Sequence, residues 1–551
     1  MVSGSSIATL VIFILSIIFV IRPVTIPAPR PIPHIPINLT TAPIIAIAVL
    51  WAAQCIDPAV IRDGIVGTDG VKPYNILILF FSLAYMAITL DITGILQAAA
   101  FWVSNKGGSN GWKLYFYFYV MLTMLSVLLG NDPVILSGTA FLVYYTKVAE
   151  LNPISWLMSE FAAANTASMV LFVGNPTNVV ICEGFNVNNA AFTAYTILPF
   201  LACNLVCFLA LGSQFRDSKY LPRRLNVTAD LDARSVLLDP IGAWVGSIML
   251  GTCLILCIVV SFFKIDVWMI SLPFAVAKLI YDLTWDHYRY IRKIPMLGRG
   301  LPAAPAKDHS AGADEDVMLA ALERQFSTNS RQRHPNGSPD PQLSLPSKQP
   351  TETTMKSSTP FSSPKQYIAQ RRSTIIALHS RLHTHFPTFF TALPRLPFAL
   401  VPFAFSQFIL IESLGHQGWI EIFATWFVRA SKRETYPTIW LIGVLGVILC
   451  NLSGTNIGAT ILLTKVVSAA ALQPHTYRAA AIALAVASNI GAVSFTFSAS
   501  LAGLLWRGIL KQKGIIVSQR TFAYWNMLPL VVMTIAGLAV VSAEMAVLYR
   551  Q

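Results

Sequence analysis

Five short clusters carry the polar side chains that stand out in an otherwise apolar chain. They are GNDPVILSG (Gly130 to Gly138), AANTAS (Ala163 to Ser168), GNPTN (Gly174 to Asn178), NLSGTNIGAT (Asn451 to Thr460) and ASNIGA (Ala487 to Ala492). Their amides and hydroxyls, Asn131, Asn165, Thr166, Ser168, Asn175, Thr177, Asn178, Asn451, Thr455, Asn456, Ser488 and Asn489, are neutral groups that both donate and accept. Glycines beside them, Gly174 among them, let backbone approach a ligand closely. This is the chemistry of binding. Freed amides at a half-helix N-terminus favour an anion or a polar neutral solute, and carbonyls at a half-helix C-terminus can hold a cation. Ionisable groups within apolar runs are costly and therefore functional suspects, and three qualify: Asp132, Glu160 and Lys465. Asp132, at a turn between apolar runs, is the candidate for proton or cation coupling, since a carboxylate taken out of water is held more readily in its neutral form. Asn131-Asp132-Pro133 also fits a helix cap followed by proline at the first position, so capping is the alternative. Glu160 and Lys465 lie near expected segment ends and are read as snorkelling to the interface, as is Asp91. No cluster of ligands or acids suggests a metal, a cofactor or an enzyme. A transferase acting at a membrane face would need grouped aspartates, which the sequence lacks.

These clusters sit in a chain of 551 residues that is 55% hydrophobic and only 12% charged, with mean hydropathy +0.60. A soluble protein carries roughly 25% charged residues. The composition therefore implies an integral, multi-pass membrane protein, and long apolar runs of about 20 residues imply helices rather than barrel strands. The formal charge of +13 collects in loops, where it reports orientation and attraction to anionic lipid rather than nucleic acid. The seven cysteines fall mostly in apolar runs and read as packing thiols.

The elements that would position the clusters come in two similar sets. Residues 1–72 hold two spans joined by the proline-rich RPVTIPAPRPIPHIPIN, an extended linker; Met1 to Val20 reads as a retained span. Residues 73–213 form a first transport repeat: a long helix to Gly94, a short helix to Ser104, a span over Trp112 to Leu129, a hairpin tip at Asn131-Asp132, a broken helix over Ser155 to Ile181 and a last span. Residues 214–283 hold a basic loop and two connecting spans. Residues 284–392 are rich in Ser, Pro and basic side chains and read as a disordered cytoplasmic loop. Residues 393–551 repeat the first set, with a tip at NLSGTNIGAT and a broken helix over Ala479 to Ser500. The fold expected is an all-α polytopic membrane protein with two inverted repeats, each holding a re-entrant hairpin and a broken helix, and about 10–12 spans.

Four stretches, GNDPVILSGTAFLVYYTKV, FAAANTASMVLFVGNPTNVV, NLSGTNIGATILLTKVV and SNIGAVSFTFSASLAGLLWRGILKQKGIIVS, resemble the arsenite efflux permeases. More widely they resemble the ion-transporter superfamily, which includes dicarboxylate and other anion symporters and sodium/proton antiporters. The resemblance implies alternating access around a site between the repeats. It puts Asn131 and Asp132 on the family's hairpin tip, Asn165-Thr166 on its helix break, and Asn451, Thr455, Asn456 and Asn489 at the corresponding places of the second repeat. Where those permeases carry an Asp, this chain has Asn165, and their charged run is here Asn489 to Val493. The function expected is secondary transport of a small inorganic oxyanion or its neutral hydroxide, such as arsenite or antimonite, exported in exchange for protons. A dicarboxylate or sulfate symporter, or a sodium/proton antiporter, is the alternative. The expected partners are a small polar solute or anion, protons or sodium, and membrane lipid, in the plasma membrane, with a homodimer left open.

Overall fold

The computed structural model describes residues 3–27, 35–68, 70–225, 232–263, 265–294 and 378–549. A first helix, α1 (Gly4–Ile21), starts where the Ser3 hydroxyl accepts from the Ser6 amide, satisfying one of the free amides of a helix start. The described ends of the linker after it pair as two short antiparallel strands, β1 (Val24–Ile26) and β2 (Ile35–Ile37); residues 28–34 lie outside the described residues. Next come α2 (Thr41–Ala52), shorter than a span, and α3 (Pro58–Val66).

The element order of one half then recurs in the other. The first half runs through α4 (Pro73–Ile92), α5 (Ile95–Gly107), α6 (Gly111–Leu129), α7 (Asn131–Val148), α8 (Pro153–Ala167), α9 (Pro176–Gly184) and α10 (Asn189–Gln214). Two connecting helices follow, α11 (Pro240–Val260) and α12 (Trp268–Arg292), then the short α13 (Pro387–Ala392). The second half runs through α14 (Leu400–His416), α15 (Trp419–Ser431), α16 (Thr435–Leu452), α17 (Asn456–Ala469), α18 (Pro474–Ile490), α19 (Leu501–Gln512) and α20 (Gln519–Leu548). Like corresponds to like. Gly94 and Gly418 cap α5 and α15 in the left-handed region, and α10 and α20 each contain a proline, Pro199 and Pro529. Among the described residues, eight helices are long and apolar enough to cross a membrane. The sequence reading of about 10–12 also counted shorter and broken segments.

Hydrogen bonds fix which helix ends meet. At one end of the bundle the Ser155 hydroxyl donates to Tyr220 O (3.0 Å), Leu225 N to Ser109 O (2.8 Å), Leu238 N to Thr93 O (2.8 Å) and Lys513 Nζ to the Tyr144 hydroxyl (2.6 Å). This is the basic end, where the loop with Arg216, Lys219, Arg223 and Arg224 lies. At the other end Lys72 pairs with Asp266 (3.0 Å), the Tyr477 hydroxyl donates to Gly184 O (3.3 Å) and Arg478 to the Tyr549 hydroxyl (2.9 Å). So α6 leaves the basic end and α7 returns to it, whereas α16 and α17 do the same at the opposite end. At the centre, α8 and α18 are buried along nearly their whole length, while α10, α11 and α20 turn leucines, isoleucines and valines outward as lipid-facing surface.

The second connecting helix departs from expectation. It does not stop at Leu283 but continues as α12 to Arg292, and the described segment from residue 378 packs back on it. The reason is a buried charged stripe. Lys278 pairs with Asp282, which also accepts from the Tyr85 hydroxyl (3.0 Å). Arg289 pairs with Asp286 (2.7 Å) and Asp239 (3.3 Å), and Asp286 accepts from the amide and hydroxyl of Thr388. Each ion finds a partner, which is what lets charge be buried. The expectation of disorder for the rest of this loop falls on residues 295–377, outside the described residues.

Candidate functional site

The polar clusters meet where the two broken helices face each other. α8 ends at Ser168, the chain passes through a single turn over Phe172–Gly174, and α9 begins with Asn175 as cap and Pro176 in its first turn. Proline there costs nothing, because the first amides of a helix have no internal partner. A Cβ at Gly174 would lie 2.4 Å from Ser168 O, so only glycine lets this loop fold back. In the second half α18 ends at Ile490, and α19 begins with the Ser500 hydroxyl accepting from Gly503 N (3.0 Å).

Asn489, fully buried, joins the halves. Its Nδ2 donates to Asn178 Oδ1 (2.7 Å) and Ala485 O (2.9 Å), and its Oδ1 accepts from the Ser168 hydroxyl (2.9 Å) and Asn175 Nδ2 (3.3 Å). Asn178 Nδ2 in turn donates to Ser168 O (2.8 Å) and Leu171 O (2.9 Å), so the break loop is held by side-chain amides. Ser488 donates to the Thr177 hydroxyl (3.4 Å). On the other flank Asn131 Nδ2 donates to Asn165 Oδ1 (3.2 Å), and the Asn165 carbonyl accepts from the Ser168 hydroxyl (2.7 Å). Asn131, Asn165, Ser168, Asn175, Thr177, Asn178, Ser488 and Asn489 thus form one continuous neutral network across the two halves.

Other candidates lie apart from it. Thr166 turns its hydroxyl toward Met533 Sδ on α20 (3.4 Å). Asn451 accepts from Phe495 N (2.9 Å), tying the end of α16 to the second break loop, and Thr455 caps α17 by accepting from Gly458 N (3.3 Å). Asn456 is buried at the start of α17.

Asp132 opens onto a cavity of about 550 Å³ on the basic side of the network. The cap position of α7 is Gly130, and no side chain caps that helix. Apolar residues make most of the cavity wall. Asp132 and Ser137 of α7, Gln97 of α5, Gln512 of α19 and the pair Asp91–Arg395 (3.4 Å) supply the polar part.

The snorkelling assignments do not hold. Glu160 is wholly buried in the middle of α8, and Asp91, 2% exposed, pairs with Arg395. Lys465 pairs with Glu412 (2.9 Å) and donates to Thr68 (2.8 Å). Hydropathy alone put these groups at segment ends, whereas partners on other elements hold them. Sequence reasoning also missed Gln97, Ser137, Arg395 and the backbone of Gly130 and Gly454, whose φ values of +83° and +80° need glycine. The recurrence of glycine at both tips was the available signal.

The chain is 21% identical over 227 residues to the arsenical pump membrane protein of Escherichia coli (strain K12), covering 40% of this chain and 50% of that protein. It is 22% identical over 118 residues to the 46 kDa membrane protein of Mycobacterium leprae (strain TN), covering 21% and 28%. The chain spans about half the length of the curated arsenical pump protein it matches. A solved structure, the YdaH transporter of Alcanivorax borkumensis, aligns over 99% of both chains at 12% identity with a TM-score of 0.40. The model of the CitMHS family, described as citrate transporter, matches residues 6–291, more than half of the chain, and the chain belongs to that family of membrane transporters.

Proposed function

We propose that the protein moves a small inorganic oxyanion or its neutral hydroxide, arsenite or antimonite being the leading substrates, by proton-coupled export with alternating access. The observation that carries this reading is the network around Asn489, which offers amide and hydroxyl groups from both halves and no fixed charge. Arsenous acid is largely uncharged at neutral pH, so such a site binds it without desolvating an ion. The name of the E. coli relative points the same way. The two tips, entering from opposite ends of the bundle, support reading residues 73–213 and 393–548 as inverted repeats that exchange access to a site between them. Asp132 lies in the cavity on the basic side and is the group assigned to coupling. The positive-inside rule makes that side cytoplasmic.

A second reading, a carboxylate symporter, is favoured by the family's description and by Arg395, a cation on the cavity wall. Reconstituted vesicles offered arsenite, antimonite, silicate, sulfate, succinate, citrate and sodium separate the two. Gradient-dependent arsenite movement supports the first reading, and movement of citrate or succinate without arsenite replaces it with the second.

A further inference from the structure

Glu160 is a buried carboxyl that the reading above leaves unused. It stands in the middle of α8 with no exposed surface. Thr139 of α7 donates to it at 3.0 Å, within reach of either oxygen, and the buried Trp506 indole of α19 lies beside it. A Cβ at Gly138 would lie 2.6 Å from Glu160 Oε1, so the glycine makes the space that the carboxyl fills. Among the described residues no cation pairs with it. Lys113 of α6, Lys147 of α7, Arg478 of α18, Arg507 of α19 and Arg520 of α20 all point to the surface. Asp132 faces the cavity, Glu544 lies toward the far end of α20, and the buried Tyr115 ring of α6 packs on Trp156.

The second half provides an internal control. Gly94 and Gly418, Gly130 and Gly454, and Asn165 and Asn489 are each 324 residues apart. At the same shift Glu160 corresponds to Leu484, Thr139 to Leu463 and Leu122 to Gly446. Leu484 and Leu463 are both buried, and both come within 4 Å of the place a Cβ would take on Gly446. The same junction is therefore closed by two leucines, and packing does not require a glutamate and a threonine there. An ionised carboxylate with only neutral donors is costly in such a place, whereas the protonated acid, donating to a hydroxyl, is not.

A void of about 20 Å³, lined mostly by apolar side chains, shares Gln97 and Ser137 with the large cavity and reaches Gly138, which abuts Glu160. Gln97 Nε2 donates to the Ser137 hydroxyl (2.8 Å), and its Oε1 is buried without a partner. We propose that Glu160 is a second proton-binding site, loaded from the cavity past Gln97 and Ser137 and unloaded as the two halves rearrange. The step is simple: the carboxylate takes one proton to become the acid, its O–H donates to Thr139 Oγ1, and the proton leaves by the same oxygen. The proposal rests on the transporter reading for its role, though not for the protonation itself.

The test uses the full chain in lipid vesicles. Infrared spectroscopy at neutral pH should show a protonated-carboxyl band that Glu160→Gln removes. Transport should lose the share of its pH dependence that Glu160 carries, leaving that of Asp132, and gradient-driven accumulation should fall below the wild-type level. The triple variant Leu122→Gly with Thr139→Leu and Glu160→Leu copies these three positions of the second half and should fold and melt as the wild type does, yet show the same loss. A band unaffected by Glu160→Gln, or a wild-type pH profile in either variant, would overturn the assignment. If wild-type vesicles move none of the solutes tested, the transport reading fails while the infrared result still decides the protonation site.

Discussion

At the scale of single residues, Asn489 carries the most weight, because one amide satisfies groups at the end of α8, on its own helix α18, at the cap of α9 and on α9 itself. Asn489→Ala strands the Asn178 carbonyl oxygen and an Asn175 amide hydrogen in a buried place. Each such group costs about 1–3 kcal/mol. The expected outcome is a lower melting temperature in detergent together with loss of transport. Thr166→Val is the contrast, since that hydroxyl faces a methionine sulfur outside the network. It should leave both measurements near wild type, and a transport loss as large as that of Asn489→Ala would remove the distinction between network and bystander. Residue types were legible in the sequence here because Asn, Ser and Gly in apolar runs are conspicuous. Their pairing was not, because Ser168 and Asn489 are more than half the chain apart. Glu160 shows the same limit. Its depth depends on α7 and α19 closing over it, which no local hydropathy average contains.

At the scale of elements, breaks were easier to read than continuations. Gly174 and Pro176 announce the interruption after α8 from local chemistry alone. By contrast α12 was expected to end at Leu283, because a helix carrying Lys278, Asp282, Asp286 and Arg289 reads as soluble until its partners on α4, α11 and α13 are known. The stripe makes a direct prediction. Lys278→Met leaves Asp282 buried with only the Tyr85 hydroxyl, and breaking a buried pair costs about 3–5 kcal/mol. Adding Asp282→Leu removes the stranded charge and should recover most of the stability, measured by unfolding in mixed detergent. A double variant no more stable than the single would show that the pair holds α12 in register by more than charge balance. The hairpin tips make a second prediction. Gly130 has φ +83° and ψ 171°, a region open essentially to glycine only. Gly130→Ala should therefore cost on the order of 1–3 kcal/mol and displace Asn131 from Asn165, lowering transport more than Gly251→Ala, a helical glycine of α11 with open space around its Cβ position.

At the scale of the whole molecule, the cavity that reaches Asp132 opens at the basic end, between α4 and the residues around Arg395 on one wall and α7 and α19 on the other. A carrier that alternates access must close this cavity when it opens the opposite one, so accessibility from the two faces should be mutually exclusive. The chain suits the measurement, since its seven native cysteines are all buried. Gly508 lines the cavity and has nothing within 4 Å of its Cβ position, while Leu136 lies on the wall beside Asp132 and Pro133. In vesicles of defined orientation, Gly508→Cys and Leu136→Cys should react with an impermeant thiol reagent applied at the basic face, and neither should react from the other face. A saturating substrate should then change the rate at Leu136→Cys, the deeper site, because binding between the halves shifts the population of open and closed states by the substrate's differential affinity for them. Equal labelling from both faces would describe a channel, and labelling that ignores every solute in the panel would detach the cavity from the site around Asn489.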